Sequence, residues 1–114
     1  MPAIQITTNS LLDVNKKKSI LEKGSQLITI LSGKKPERTM MSIQDNIMMY
    51  FSNNYEPCMH IHLELYKPSS SEEKQEFVRK LFELLNEETG IPLERMYLTI
   101  AEYPDWGSEG KLRI

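Results

Sequence analysis

Three groups of residues in this sequence could do chemistry, and the first lies at its start. Pro2 follows Met1. A small residue there favours removal of the initiator methionine, which would leave Pro2 with a free secondary amine. A terminal amine titrates near pKa ~8. An apolar surround or a nearby lysine disfavours the charged form and lowers that value. An amine that is neutral at pH 7 can take and return a proton as a general base. The second group is His60, His62 and Glu64, alternate residues of one run and so on one face of a strand. Such alternation can supply metal ligands, but the simpler reading is a hydrogen-bonded polar sheet face, and no metal site is assigned. The third is Cys58, the only cysteine, which excludes an intrachain disulfide. It reads as a small buried residue rather than a nucleophile.

The elements that must position these groups follow from periodicity. Residues 3–8 alternate and read as a strand that holds Pro2 rigidly. Asp13 is a plausible N-cap for a helix whose apolar stripe is Val14, Leu21, Ile28 and Leu31, with Ile20 and Leu27 beside it. Gly24 costs that helix about 1 kcal/mol against Ala, which points to close approach of a sheet. Gly33 stops it. Residues 38–44 read as a second strand and 47–51 as a short extra one. Residues 52–57 form a loop by composition. Met59, Ile61, Leu63 and Leu65 alternate with His60, His62, Glu64 and Tyr66 in a half-buried strand. Ser70 followed by Glu73 resembles a capping box for a second helix, with stripe Phe77, Leu81, Leu84 and Leu85 and an end at Gly90. Met96, Leu98 and Ile100 mark the last strand, and the tail from Glu102 looks less regular.

The two halves match. Gly33 falls on Gly90 and Glu37-Arg38 on Glu94-Arg95 at an offset of 57 residues, and Pro36 is answered by Pro92 one place short of it. At that offset Ile4 and Ile6 fall on Ile61 and Leu63, Met41 and Ile43 on Leu98 and Ile100, and the caps Asp13 and Ser70 coincide. The expected fold is therefore α/β (α+β): two pseudo-symmetric βαβ repeats, about 2–57 and 58–114, in a single domain spanning 1–114. Each repeat makes parallel strands through a right-handed crossover. Together they form a mixed four-stranded sheet with both helices on one face. Ile4, Ile6, Met41, Ile43, Ile61, Leu63, Leu98 and Ile100 should pack under the helices. Gln5, Ser42, His60, His62, Glu64 and Thr99 should line the other face.

Bulk composition narrows the partners. With 114 residues, a net charge of −2 and no basic stripe interleaved with aromatics, nucleic acid is not an expected partner. The Lys16-Lys17-Lys18 run reads as a solvated helix face. No basic region followed by an apolar run suggests a signal peptide, and no apolar stretch approaches the ~20 residues of a membrane span. A cytoplasmic location is the default, and secretion without a signal peptide stays open.

Taken together, the Met1-Pro2 start, the two βαβ units, Gly33-Lys34 after the first helix, Phe51 followed by Glu56-Pro57-Cys58, Arg95-Met96-Tyr97 and the late Trp106-Gly107 resemble the macrophage migration inhibitory factor family of the tautomerase superfamily. The resemblance runs along nearly the whole chain. It implies a homotrimer whose sheets surround a central channel. It also implies a tautomerase, needing no cofactor, that interconverts the keto and enol forms of a small aromatic 2-oxo acid such as phenylpyruvate, or of dopachrome derivatives. By the same resemblance Pro2 is the acid/base, Lys34 meets the substrate carboxylate, Tyr66 touches ligand through its backbone, and Tyr97 enters the pocket of the adjacent subunit. Apart from the resemblance, Lys34 is a helix C-terminal cation on the dipole and Tyr97 an edge-strand packing residue.

The chain departs from the family pattern at several places. Ser52 and Asn53 replace the glycines usual after the family Phe, and Leu65-Tyr66-Lys67 replaces a Ser-Ile-Gly turn. Thr99 stands in place of an Asn. Arg38 stands where vertebrate members carry a pocket aromatic, and the stretch before Trp106 is shorter. Tyr66 and Arg38 should narrow the pocket or make it more polar. The second thiol of a Cys-x-x-Cys is absent, so thiol redox activity is not carried over. Two other readings compete with the tautomerase: a cytokine-like or host-directed protein that binds a receptor while its activity is vestigial, and a decarboxylase or dehalogenase using the same proline.

Overall fold

The structure, a computed structural model, describes residues 1–113. Strand β1 (Pro2–Thr8) leads through the Asp13 cap into helix α1 (Val14–Gln26), which tightens into a 3₁₀ turn over Leu27–Ile30. A second 3₁₀ turn, Pro36–Arg38, delivers the chain to β2 (Met40–Gln44). After a long loop come β3 (Met59–Tyr66), helix α2 (Ser71–Thr89) and β4 (Met96–Tyr103). A small hairpin, β5 (Trp106–Ser108) and β6 (Lys111–Arg113), ends the described chain.

The main sheet has the order β2-β1-β3-β4, with β1–β2 and β3–β4 parallel and β1–β3 antiparallel. Its register carries the repeat. Ile4 pairs with Met41 and Ile6 with Ile43, while in the second copy Ile61 pairs with Leu98 and Leu63 with Ile100. Across the centre, Ile4 faces Leu63 and Ile6 faces Ile61, as a pseudo-twofold axis between the copies requires. These central side chains are buried together with Ile20, Ile28, Phe77, Leu81 and Leu85.

Each helix has a local reason to start and stop. Asp13 Oδ1 accepts from the Lys16 N–H at 2.8 Å. Ser70 Oγ accepts from the Glu73 N–H at 3.2 Å, but the Glu73 carboxylate does not return to Ser70. It accepts instead from the Ser32 N–H and hydroxyl, so half of the expected capping box is spent on tying α2 to the chain beyond α1. Gly90 ends α2 at φ +74°. Gly24 lies where α1, α2 and β2 meet. A Cβ there would stand 2.7 Å from Met41 Cε and 3.8 Å from Leu84 Cδ2, which accounts for a glycine inside a helix.

The structure corrects several expectations. The α1 face that packs inward is Ile20, Gly24 and Ile28, an i, i+4, i+8 row, and Val14 in the first turn is 60% exposed. Ile100 is 37% exposed because it lies on an outer strand. Residues 47–51 form no strand. Asn46 takes φ +57° and turns the chain away, leaving one isolated Phe51–Asn54 bridge. That bridge closes a turn in which Ser52 and Asn53 both have positive φ. The tail is more regular than expected, because Glu109 and Gly110 both take positive φ and close β5 onto β6. Lys17 pairs with Asp45 at 3.3 Å, and Lys16 Nζ donates to the Glu88 carbonyl, so the lysine run is only partly a solvated face.

Thr8, at the end of β1, is a buried polar residue within the core. Its Oγ1 donates to the Cys58 carbonyl at 2.7 Å and accepts from the Ser10 N–H at 3.2 Å. Thr8→Val keeps the shape and removes both partners, so it should lower unfolding free energy in urea by about 1–3 kcal/mol with an unchanged slope.

Candidate active site

Pro2 is the first residue of β1. It is buried and pairs with Leu65 at the end of the sheet. Met1 precedes it, and the nitrogen between the two residues is an amide. The Met1 carbonyl accepts from the Tyr66 N–H at 3.2 Å. The Tyr66 carbonyl in turn accepts from Lys34 Nζ at 2.6 Å. The backbone of Tyr66 thus links the chain start to Lys34, and three of the four residues named from the sequence come together here.

Two hollows meet at this point, and Met1 and Arg38 line both. One, of about 490 Å³, is walled by Lys34, Lys35, Tyr66 and Lys67. The other, of about 520 Å³, is walled by Pro2, Met40, Trp106 and the β5–β6 hairpin. The Met1 side chain fills the boundary, its sulfur accepting from the Ser108 hydroxyl at 3.3 Å. Trp106 lies 6.4 Å from the rings of both Tyr66 and Tyr103. Lys67, at φ +68°, bends back so that its ammonium stands 5.2 Å from the Tyr66 ring centroid.

Electrostatics at the chain start disfavour added positive charge. The Met1 amine is held below its ordinary pKa by burial first, then by Lys34 and Arg38. Lys34 is lowered too, chiefly by burial. Glu102 acts in the opposite direction, and Lys67 adds to the lowering. Glu102 is itself held below the usual carboxylate range. The Ser69 N–H at 2.7 Å is the main cause, with Lys74 at 3.0 Å and the charge of Lys34 contributing against the cost of burial.

Tyr97 does not join this cluster within the chain. It pairs with His60 in the register of β3 and β4, five residues along β3 from the partner of Pro2, or roughly 17 Å. Its ring is 64% exposed and stands edge-on to Phe51 at 4.8 Å. Arg95 holds the neighbouring loop by donating to the Pro57 and Glu56 carbonyls at 2.8 and 2.9 Å. On the helix-free face, His60 and His62 both meet Thr99 Oγ1, at 3.1 and 2.9 Å, and Glu64 accepts from the Tyr103 hydroxyl at 3.2 Å. Among the described residues no cluster of His, Cys, Asp or Glu is arranged to hold a metal ion. Cys58 is buried. Trp106 and Lys67, neither of them among the expected site residues, both stand at this site. The Glu109-Gly110 turn that brings Trp106 to the site was the available signal.

Comparison with known proteins agrees with this architecture. A family model described as macrophage migration inhibitory factor matches residues 1–110. No curated protein matches the chain significantly. Among solved structures, Leishmania major MIF2 superposes with a TM-score of 0.89 at 20% identity, covering 99% of this chain and 97% of that one. The macrophage migration inhibitory factor homologue from Prochlorococcus marinus has a TM-score of 0.83 at 26% identity, with 96% and 97% covered. Pt0534 inactivated by 2-oxo-3-pentynoate has a TM-score of 0.85 at 18% identity, with 95% and 92% covered. No helix among the described residues is long and apolar enough to cross a membrane.

The Glu102 carboxylate gives a test of the site's charge balance. Its folded pKa is depressed, so its stabilisation is fully present above the unfolded value of ~4.3 and is lost as pH falls through the folded one. Glu102→Gln should therefore melt below wild type at pH 7, with the gap closing as pH drops below about 4 in a thermal-melt series.

Proposed function

The chain belongs to the macrophage migration inhibitory factor family, and from that premise we propose that it is a cofactor-free keto–enol tautomerase. Its substrate is a small aromatic 2-oxo acid of the phenylpyruvate type. The observation that carries this reading is the clamp at the chain start: Tyr66 N–H on the Met1 carbonyl, with Lys34 on the Tyr66 carbonyl. In this reading a substrate oxygen takes the place that the Met1 carbonyl oxygen occupies on the Tyr66 N–H. When Met1 is removed, Pro2 becomes a secondary amine at that spot and the Tyr66 N–H is released to face the substrate. The cations and burial that lower the Met1 amine act in the same direction on a Pro2 amine one residue further into the sheet.

In this reading Pro2 takes a proton from the carbon beside the 2-oxo carbon. The electron pair of that C–H bond moves into a C=C bond, and the carbonyl electrons collect on oxygen. Pro2 then returns the proton to that oxygen, and the reverse sequence gives ketonisation. Lys34 positions the substrate carboxylate, and developing negative charge on oxygen is favoured by the cationic, partly water-excluded surround. Pt0534, of the same fold, is inactivated by a 2-oxo acid, which is consistent with this substrate class.

The assembly proposed is a homotrimer in which Tyr97 of one subunit enters the pocket of the next. Both outer strands of the sheet, β2 and β4, have an open edge within the chain. The segment beyond β2 presents Ile47, Met48, Tyr50 and Tyr55 at the surface, with Met48 88% exposed. A neighbouring subunit would cover such a stretch. The second reading, a receptor-binding protein with vestigial activity, is favoured by Arg38 and Tyr66 on the pocket wall.

Protein with Met1 removed should ketonise phenylenolpyruvate, and Pro2→Gly or retention of Met1 should reduce kcat/KM by roughly 10²-fold or more. Processed wild-type protein with no such activity would favour the binding role. In solution the mass should be three times the 13.3 kDa of the chain. Mixing inactive Pro2→Gly with inactive Tyr97→Ala subunits should restore part of the activity, because some pockets then combine an intact Pro2 with an intact Tyr97. Failure of that rescue in confirmed mixed trimers would remove Tyr97 from the site.

A further inference from the structure

Two ties of different kinds hold the neighbourhood of Lys34. The first is its own: Lys34 Nζ donates to the Tyr66 carbonyl at 2.6 Å. The second reaches Ser32, two residues earlier. One oxygen of the Glu73 carboxylate accepts from the Ser32 N–H at 3.2 Å, and the other accepts from the Ser32 hydroxyl. Both oxygens are used, so the tie fixes orientation as well as distance. The Glu73 carboxyl is held below its ordinary pKa by the Ser32 hydroxyl first and the Ser32 N–H second, against desolvation.

The step from Ser32 to Lys34 needs such a tie. Leu31 is buried, but Ser32 and Gly33 are exposed, and Gly33 takes φ +79°. Glycine adopts that angle without strain but leaves the step free to swing. A lysine is a point charge on a flexible stem, so where its ammonium sits depends on where its backbone is held. The residue after Glu73 makes the matching grip. Lys74 Nζ donates to Glu102 at 3.0 Å, and Glu102 also accepts from the Ser69 N–H at 2.7 Å. Glu102 pairs with Leu65, the residue before Tyr66. Adjacent residues near the start of α2 thus hold the two segments that meet in the Lys34–Tyr66 bond.

We propose that Glu73 is a positioning residue, which through Ser32 sets where the Lys34 ammonium meets the substrate carboxylate. This rests on the Pro2 tautomerase reading for the role of Lys34. Glu73 lines neither hollow and acts only through the Ser32–Lys34 segment.

The test uses protein lacking Met1, with phenylenolpyruvate and its methyl ester as substrates. Glu73→Ala should raise KM for the acid at least about threefold with kcat little changed, and should leave KM for the ester unaltered. Ser32→Ala removes only the hydroxyl and should move KM for the acid the same way by less. Glu73→Gln should lie between Glu73→Ala and wild type, because its amide keeps one acceptor oxygen. In a Lys34→Ala background, Glu73→Ala should have no further effect on KM. A general loosening of the fold would raise KM for acid and ester alike, with or without Lys34, and would overturn the proposal. An unchanged KM for the acid would overturn it too. Amide hydrogen exchange reads the same tie without turnover. Exchange at Ser32 and Lys34 should quicken at least about fivefold in Glu73→Ala under native conditions, and unchanged exchange there sinks the proposal. Pro2→Gly separates the two levels: full activity in that variant removes the Pro2 reading and leaves the exchange result standing.

Discussion

The chain start is pinned into the middle of a sheet. The first residues of a protein ordinarily fray unless something ties them down. Here β1 is hydrogen-bonded on both sides, to β2 from Ala3 and to β3 from Pro2 itself. Ile4 and Ile6 are buried under the helices, each stabilising the strand by about 1.5–3 kcal/mol relative to an exposed side chain. Thr8 fixes the far end through the Cys58 carbonyl. Pro2 is therefore held as firmly as the core, and the segment that would be a loose tail in another fold becomes one wall of a cavity.

Everything around that wall comes from the ends of other elements. Lys34 follows the 3₁₀ turn after α1, Arg38 precedes β2, and Tyr66 and Lys67 end β3. Trp106 opens the terminal hairpin. The first parallel crossover brings the segment after α1 to the end of the sheet where β1 begins, and β3 and β4 finish at that same end, whereas the segment leaving α2 arrives at the opposite one. At the chain start the charges converge as well. Glu102 on β4, held by Ser69 and Lys74, is the counterweight that supports a protonated Lys34 despite its burial.

Much of the fold was legible because its signals are local. Period-two alternation located β1 and β3. Asp13 and Ser70 marked the helix starts, and Gly90 an end. The offset between Gly33 and Gly90 revealed the repeat, which the strand register then reproduced. The failures have physical causes too. Of the stripe expected on the first helix, Ile28, Leu31 and the flanking Ile20 are buried, whereas Val14 is exposed and Gly24, which has no apolar side chain to mark it, joins the inward row. Residues 47–51 have the composition of a strand but turn away at Asn46, and among the described residues they form only the isolated Phe51–Asn54 bridge. The hairpin was missed because two three-residue strands carry too little periodicity to register.

By itself, then, the sequence determined the order of the elements, the caps, the repeat, and a proline in second place ahead of the first strand, since each depends on neighbours within a few residues or on a fixed offset. Only the tertiary structure decided which side chains gather around the chain start. Lys34 and Arg38, Tyr66 and Lys67, and Trp106 come from three stretches far apart in sequence, and no periodicity links those stretches. It also separated Tyr97 from Pro2 within one chain, because β4 and β1 lie on opposite sides of β3 and the two residues sit at opposite ends of the strands. Distance along a strand is readable from sequence only after the pairing is known, and pairing is a property of the folded sheet.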